Sequence, residues 1–429
     1  MKDLWRILNM AREHITENYA AALTDRDKLS QLRAYIEKFL RDGGHRVDGL
    51  TPEELAGRLY NEMAQYSVLT PYLGSPDYEE INVNAWNDIA LTRLDGTIIK
   101  LEEHFHSPQH AIDIVKRLLH HSGMIIDNSL PLAQGHLPNN TRIAAIKEPI
   151  VDKERGIAVS IRMLHSQKFT REMLLESGTA TGEMIDFLSA CIRYGVPFVV
   201  VGSTSSGKTT FLNYLMTTIL DNKRIFTIES GAREFSLVNE EGGKIINNVV
   251  HTLSRPSDNP AYDISQEKLV VYALRFNPDV IAIGEIRDIE AHSAVEASLT
   301  GHTIVSSVHA GDCRQAHLRI ALLCQKRFPI DFNTSLIQAT QAFPIVVFCH
   351  KLDDNSRKVM EIAEAEILPN GDRVYHTLYD YQITKNTACG DGVQIEGQFR
   401  KQSNMSESLR RRLMLYGIPQ PTLQRFISG

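Results

Sequence analysis

The segment Gly202-Ser203-Thr204-Ser205-Ser206-Gly207-Lys208-Thr209-Thr210 decides the architecture, because both its glycine spacing and its flanks are those of a phosphate-binding loop. Before it, Pro197-Phe198-Val199-Val200-Val201 reads as a short buried strand. After it, Phe211 to Met216 continues as a helix with apolar residues at helical spacing. Glycines at 202 and 207 let the backbone fold closely around a polyphosphate so that successive N–H groups point inward. The helix that begins at Lys208 aims the positive end of its dipole at the same charge. Gly202 to Thr210 are therefore the candidate residues for holding ATP. Lys208 reaches the β and γ phosphates, and the Thr209 hydroxyl ligates Mg²⁺. A glycine-serine turn that merely happened to precede a lysine would not carry this strand and this helix.

A chain of 429 residues is too long for one hydrophobic core, so two domains and a small extra element are expected. Apolar content of 43% and charged content of 23% are those of an ordinary globular protein. The longest apolar runs, such as Val196 to Val201 and Val280 to Ile283, are strand-sized, so no segment is expected to span a membrane. Asp3 and Arg6 interrupt the apolar positions of the N-terminus, which also lacks a small-residue cleavage site. The expected location is the cytoplasm. Five cysteines, at 191, 313, 324, 349 and 389, form no CxxC pair, so they are expected to be buried reduced thiols, with no zinc. Net charge is −6 with dispersed basic residues, and Arg410-Arg411-Arg412 reads as a solvated helix face, so direct nucleic-acid binding is not expected.

Residues 1 to about 40 carry apolar positions at helical spacings, ended by Asp42-Gly43-Gly44, and Thr51-Pro52-Glu53-Glu54 reads as a capped second start. This gives a helical segment over 1–65. Strands are expected at Glu80 to Asn84, Asp88 to Arg93, Thr97 to Leu101, Thr141 to Ile146 and Gly156 to Arg162, with a helix from Ser107 to near Gly123. That is a compact α+β domain over 66–165. From about 170 strands and helices alternate, which predicts an α/β domain over 166–429 with a mainly parallel sheet. Its strands are read at Phe198 to Val201, Arg224 to Ile228, Val280 to Ile283 and Thr303 to Val308.

Val280 to Ile283 leads into Gly284-Glu285-Ile286-Arg287-Asp288, an apolar strand ending in an acid. An acid at that strand end can orient and deprotonate an attacking water. Gly284 stands where many nucleoside triphosphatases have an aspartate, which leaves Glu285 to carry the acidic chemistry, including support of Mg²⁺ through water. Glu229 ends the strand that starts at Arg224, and His302 and His309 bracket Thr303 to Val308. Taken singly, each histidine is more often a hydrogen-bonded core or surface residue than a functional one. Their order behind the loop reverses that.

Together these residues resemble the hexameric secretion ATPases that power type II and type IV secretion, type IV pili and tight-adherence (Flp) pili. The match lies in Leu274 to Glu290 and in Gly301 to His309, and extends more loosely to Arg142 and Ser160-Ile161-Arg162, over roughly 66–380. The resemblance implies a RecA-like P-loop core, a smaller N-terminal domain presenting Arg142 and Arg162 to the nucleotide, and a homo-hexamer. It also implies an integral membrane platform protein as partner and peripheral association with the cytoplasmic membrane. His302 and His309 would sense the γ-phosphate. Two departures stand out: Glu229 is followed by Ser230 rather than aspartate, so Glu229 carries over and Glu234 does not, and the four-cysteine zinc module of the type II branch is missing. The chain thereby leans towards the tight-adherence and type IV secretion branches.

The expected activity is ATP hydrolysis coupled to mechanical work, with Arg275 and Arg287 as second choices after Arg142 and Arg162 for charge at the transferring phosphate. Two other readings are a nucleotide-gated scaffold with little turnover, against which Glu285 argues, and a DNA-conjugation or translocation motor, against which the acidic balance argues.

Overall fold

Helical spacing of apolar residues builds the beginning of the chain. In α1 (Lys2–Tyr19), α2 (Leu29–Gly43) and α3 (Pro52–Ala64), the residues Ile7, Leu8, Ala11 and Ile15, Leu32, Ile36 and Leu40, and Leu55, Leu59 and Met63 each line one helix face. These faces share a core. The expected capping box starts α3: Thr51 Oγ1 accepts from the Glu54 amide at 3.2 Å and Glu54 Oε2 accepts from the Thr51 amide at 2.8 Å. The computed structural model describes residues 2–19, 29–120, 122–137, 141–163, 169–231, 233–255, 257, 259–390 and 392–427. Part of the early helical reading, 20–28, lies outside the described residues.

Two units divide the chain, Met1–His165 and Ser166–Gly429. In the first, β1 (Tyr78–Ala85), β2 (Asp88–Arg93), β3 (Ile98–Lys100), β4 (Leu132–His136), β5 (Arg142–Lys147) and β6 (Ile157–Arg162) form an antiparallel sheet in the order β3-β2-β1-β6-β5-β4. Ile81, Val83, Ile143, Val159 and Ile161 bury against Ile114, Val115 and Leu118 of α4 (Pro108–His120). The N-terminal helices belong to this same unit. The Trp5 ring stacks on His106 with centroids 4.1 Å apart, His110 Nε2 lies 2.9 Å from Glu62 Oε2, and Arg117 Nη1 donates to the Gln65 carbonyl at 2.6 Å.

In the second unit, α5 (Arg171–Glu176) and α6 (Gly182–Arg193) precede β7 (Phe198–Val201), α7 (Lys208–Thr217) and β8 (Arg224–Glu229). The short β9 (Glu240–Glu241) and β10 (Lys244–Ile245) pair with each other. Then follow β11 (Asn248–Leu253), α8 (Gln266–Ala273), β12 (Val280–Ile283), α9 (Glu290–Leu299), β13 (Thr303–Val308), α10 (Cys313–Gln325), α11 (Phe332–Ala342), β14 (Ile345–Lys351), β15 (Arg357–Ile367), β16 (Arg373–Cys389) and β17 (Gly392–Lys401). The last helices are α12 (Glu407–Leu415) and α13 (Gln420–Ile427).

The nine-stranded sheet runs β11-β8-β12-β13-β7-β14-β15-β16-β17. Pairing is parallel from β11 to β14 and antiparallel beyond it. The central strands β7, β12 and β13 are buried along their whole length, as strands covered on both faces must be. Phe198 and Val200 pack on the side of α6, α7, α12 and α13, whereas Val199 and Val201 pack on the side of α8 to α11.

Two expectations need correction. Cys191, Cys313, Cys324 and Cys349 are buried, and burial pushes the Cys349 thiol up to about 12, but Cys389 is exposed. It ends β16, whose last seven residues are all exposed. Arg412 is also not part of a freely solvated face. Its Nε and Nη2 donate to the Gly195 carbonyl at 3.1 and 2.8 Å, because it borders the buried Leu413, and this burial lowers its pKa. Among the described residues no helix is long and apolar enough to cross a membrane.

Candidate functional site

The turn from β7 to α7 is a backbone cradle that only its own residues permit. Gly202 has φ +151°, and a Cβ placed there would lie 2.1 Å from the Cys349 carbonyl oxygen of β14. The loop therefore runs flush against its neighbouring strand. Ser205 and Gly207 follow with φ of +60° and +87°, and the Phe211 amide donates to the Gly207 carbonyl at 2.9 Å to begin the helix. Gly207 sits at the N-cap without a side chain to occupy the first amides, which suits them to an anion. Ser206 Oγ donates to the Ser203 carbonyl at 2.8 Å, and the buried Lys208 Nζ donates to the same oxygen at 2.7 Å. Thr209 and Thr210 are half-buried in the first turn of α7.

Parallel pairing then brings the carboxyl ends of β8, β12, β13 and β7 to one edge. His309, just past β13, joins the loop to the acid: its Nδ1 lies 3.2 Å from the Gly202 carbonyl oxygen and 3.5 Å from Lys208 Nζ, while its Nε2 lies 3.1 Å from Glu285 Oε1. The carbonyl and the carboxylate are both acceptors. An imidazolium can donate to both, whereas a neutral ring can serve only one. The turn holding Glu285 is pinned from β13: Ser307 Oγ donates to the Gly284 carbonyl at 2.7 Å, and the Ile286 amide donates to the Ser307 carbonyl at 2.9 Å.

Glu229 ends β8 beside Gly284, where an added Cβ would meet Glu229 Cγ at 3.5 Å. Its side chain is buried. Oε1 accepts from the amides of Glu234 at 2.5 Å and Phe235 at 2.9 Å, and the buried Oε2 has no hydrogen-bond partner among the described residues. Desolvation outweighs those two amides and pushes the carboxyl up to about 7. The folded protein thus binds this proton more tightly than the unfolded chain, so stability falls as pH rises from the ordinary glutamate range through 7. Glu229→Gln keeps an acceptor for both amides. We expect it to raise the melting temperature of the nucleotide-free protein at pH 8, by a stabilisation on the order of 3 kcal/mol, and to leave it nearly unchanged at pH 5. Thermal melts of both proteins at the two pH values check this, and equal shifts at both would contradict it. The orphan oxygen, the glycine cradle and the loop-bound lysine fit a polyphosphate with its cation.

Not every predicted residue meets here. His302 precedes β13 at its amino end, its Nδ1 3.2 Å from the Ala297 carbonyl oxygen, and the six-residue strand holds it about 20 Å from the opposite edge. Arg275 lies in the single turn Leu274–Phe276 that leads to the amino end of β12, whereas Arg287 Nη2 donates to Ser230 Oγ at 2.7 Å on the site edge. In the first unit, Arg142 and Arg162 are register partners across β5 and β6, with Arg162 Nη2 3.7 Å from Glu79 Oε1. Sequence reasoning missed Arg357. From β15 its Nε donates to the Ser205 carbonyl at 3.0 Å, and it belongs to no motif.

A loop of this geometry on a parallel sheet, with a glutamate and a histidine at the adjoining strand ends, defines a P-loop nucleotide-binding protein with a RecA-like core. The chain belongs to the type II/IV secretion system protein family, whose model matches residues 67–398. It is 26% identical over 289 residues to an uncharacterised protein of Methanocaldococcus jannaschii, covering 67% of this chain and 51% of that protein. It is 26% identical over 310 residues to the type IV secretion system protein VirB11 of Brucella suis, covering 65% of this chain and 82% of VirB11. The X-ray structure of the Legionella pneumophila ATPase DotB is similar at 17% identity and a TM-score of 0.43, covering 81% of this chain and 82% of DotB. The chain spans about half the length, or less, of the archaeal relatives it matches.

Proposed function

We propose that this chain hydrolyses ATP and couples the hydrolysis to mechanical work in assembling a pilus or driving a secretion machine at the cytoplasmic face of a bacterial membrane. The single observation that carries the reading is His309, which sits within 3.5 Å of both the phosphate-loop lysine and the strand-end Glu285. Lys208 and the amides of Gly202 to Thr210 would hold the polyphosphate. Thr209 would hold Mg²⁺, with Glu285 supporting it through water, and the ion when bound neutralises charge on the β and γ oxygens. Glu285 orients and deprotonates the attacking water, Glu229 supports that work from β8, and His309 responds to the γ-phosphate.

The domain division that fits this role is a helical segment over 1–65, an α+β domain over 66–165 and the ATPase domain over 166–429. Arg142 and Arg162, paired on one sheet edge, would supply cationic charge from the N-terminal domain, so that domain closure and hydrolysis are linked. The active species is a homo-hexamer working on an integral membrane platform protein, without zinc and without direct nucleic-acid binding. The missing four-cysteine module supports the tight-adherence and type IV secretion branches over the type II branch.

Head-to-tail contacts close into rings only where the subunit rotation permits, so activity per subunit should depend on assembly. Phosphate release from Mg²⁺-ATP, measured across protein concentrations alongside light scattering, is expected to rise per subunit as rings form. Full activity in a dilute monomer would contradict the assembly part of the proposal.

A further inference from the structure

We propose that Arg357 is a positioning residue of the nucleotide site, through which the antiparallel extension of the sheet sets the phosphate loop in its binding conformation. This rests on the nucleotide reading above and deepens it. Arg357 is the first residue of β15, the strand that begins the antiparallel part of the sheet. Its Nε donates to the Ser205 carbonyl at 3.0 Å, and its stem lies over Gly207, where an added Cβ would meet Arg357 Cδ at 3.2 Å and Cγ at 3.9 Å. The contact therefore spans the turn of the loop that leads into α7.

The chemistry of the grip follows from the peptide plane. Ser205 is a non-glycine residue held at φ +60°, a left-handed conformation that is unfavourable for a residue with a Cβ and persists only where the surroundings fix it. A carbonyl and the N–H of the next residue point in opposite directions across one peptide. With the Ser205 carbonyl drawn out to the guanidinium, the Ser206 amide is turned the other way, into the loop, where it donates to the Ser203 carbonyl at 3.4 Å. An amide turned into the loop is the kind of donor an anion cradle uses, and here an arriving anion competes with the one carbonyl that this amide shares with Lys208 Nζ.

The start of β15 is itself braced. Lys358 Nζ donates to the carbonyls of Ser177 and Gly178 at 3.0 and 2.7 Å, and the Val359 amide donates to the Thr179 carbonyl at 2.8 Å. Arg357 thus reaches the loop from a fixed point.

A residue that shapes the loop acts on groups common to ADP and ATP. Calorimetric binding of Mg²⁺-ADP and of a Mg²⁺-bound non-hydrolysable ATP analogue to Arg357→Ala should show both affinities reduced alike, by roughly ten- to hundredfold, the size of a lost hydrogen bond to a charged group. In turnover, KM should rise by a similar factor with kcat within about twofold, the signature of uniform binding. Arg357→Lys should recover part of the affinity. Lys358→Ala, which loosens the brace but keeps the guanidinium, should lower both affinities by a smaller factor than Arg357→Ala and again without distinguishing ADP from the ATP analogue. Unchanged nucleotide affinity in Arg357→Ala, or a loss confined to the ATP analogue, would overturn the inference. Absence of binding by the wild-type chain to either nucleotide would instead overturn the nucleotide reading on which it rests.

Discussion

Glu285→Gln is expected to lower steady-state ATP turnover by about two to four orders of magnitude while leaving ATP affinity within a few fold of wild type. The separation follows from where the residue stands. Glu285 follows β12 by two residues, on the carboxyl edge of the sheet, and its Oε1 faces His309 Nε2 at 3.1 Å rather than any loop amide. A carboxylate there acts on the attacking water and on the proton it sheds, and contributes little to holding ground-state phosphates. Glutamine preserves volume and can still accept from His309, so the loop should keep its shape. It cannot take a proton. Turnover by phosphate release and affinity by calorimetry, on the same preparation, read the two effects separately. Near-normal turnover would remove Glu285 from its catalytic role.

Lys208→Ala is expected to weaken binding of ATP and ADP by about a hundredfold or more, with the fold intact. Lys208 is 6% exposed, and its ammonium is held at the Ser203 carbonyl, 2.7 Å away, at the mouth of the cradle. It is a point charge already placed within the loop, so a polyphosphate gains a charge-assisted contact by replacing one carbonyl. Alanine leaves the cradle amides but removes the compact cation. Because the contact is made in the bound ground state, KM and Kd should rise together. Affinity within a few fold of wild type would show that the loop binds its anion without the lysine.

The nucleotide edge was legible because its chemistry is local in sequence. Gly202 and Gly207 stand at positions whose positive φ the loop requires, and all-apolar strands such as Val280 to Ile283 can lie only inside a covered parallel sheet. Ends of parallel strands share an edge, so Glu229, Glu285 and His309 could be placed beside the loop from order alone. The same rule, applied to a strand that the two histidines bracket, places His302 on the opposite edge.

The antiparallel extension was less legible. No strand is read beyond Val308 from the sequence, and β15 carries Glu361, Glu364 and Glu366, of which Glu364 is 2% exposed with its Oε2 accepting from the Ser406 amide at 2.7 Å at the start of α12. A buried acid satisfied by a helix start some forty residues away leaves no local pattern. Arg357 was hidden for the same reason, since it meets Ser205 across 152 residues. The packing of Trp5 on His106 is likewise a contact between distant segments of sequence.

The central claim, a ring motor whose subunits hydrolyse ATP in a coupled way, is tested most directly by mixing wild-type and Glu285→Gln subunits in varying proportion at a concentration where rings are complete. Phosphate release is then measured against the fraction of variant. Coupled firing predicts a steep, convex loss, with activity falling well below the wild-type fraction at small doping. A straight line proportional to the wild-type fraction would mean independent sites and would contradict the account.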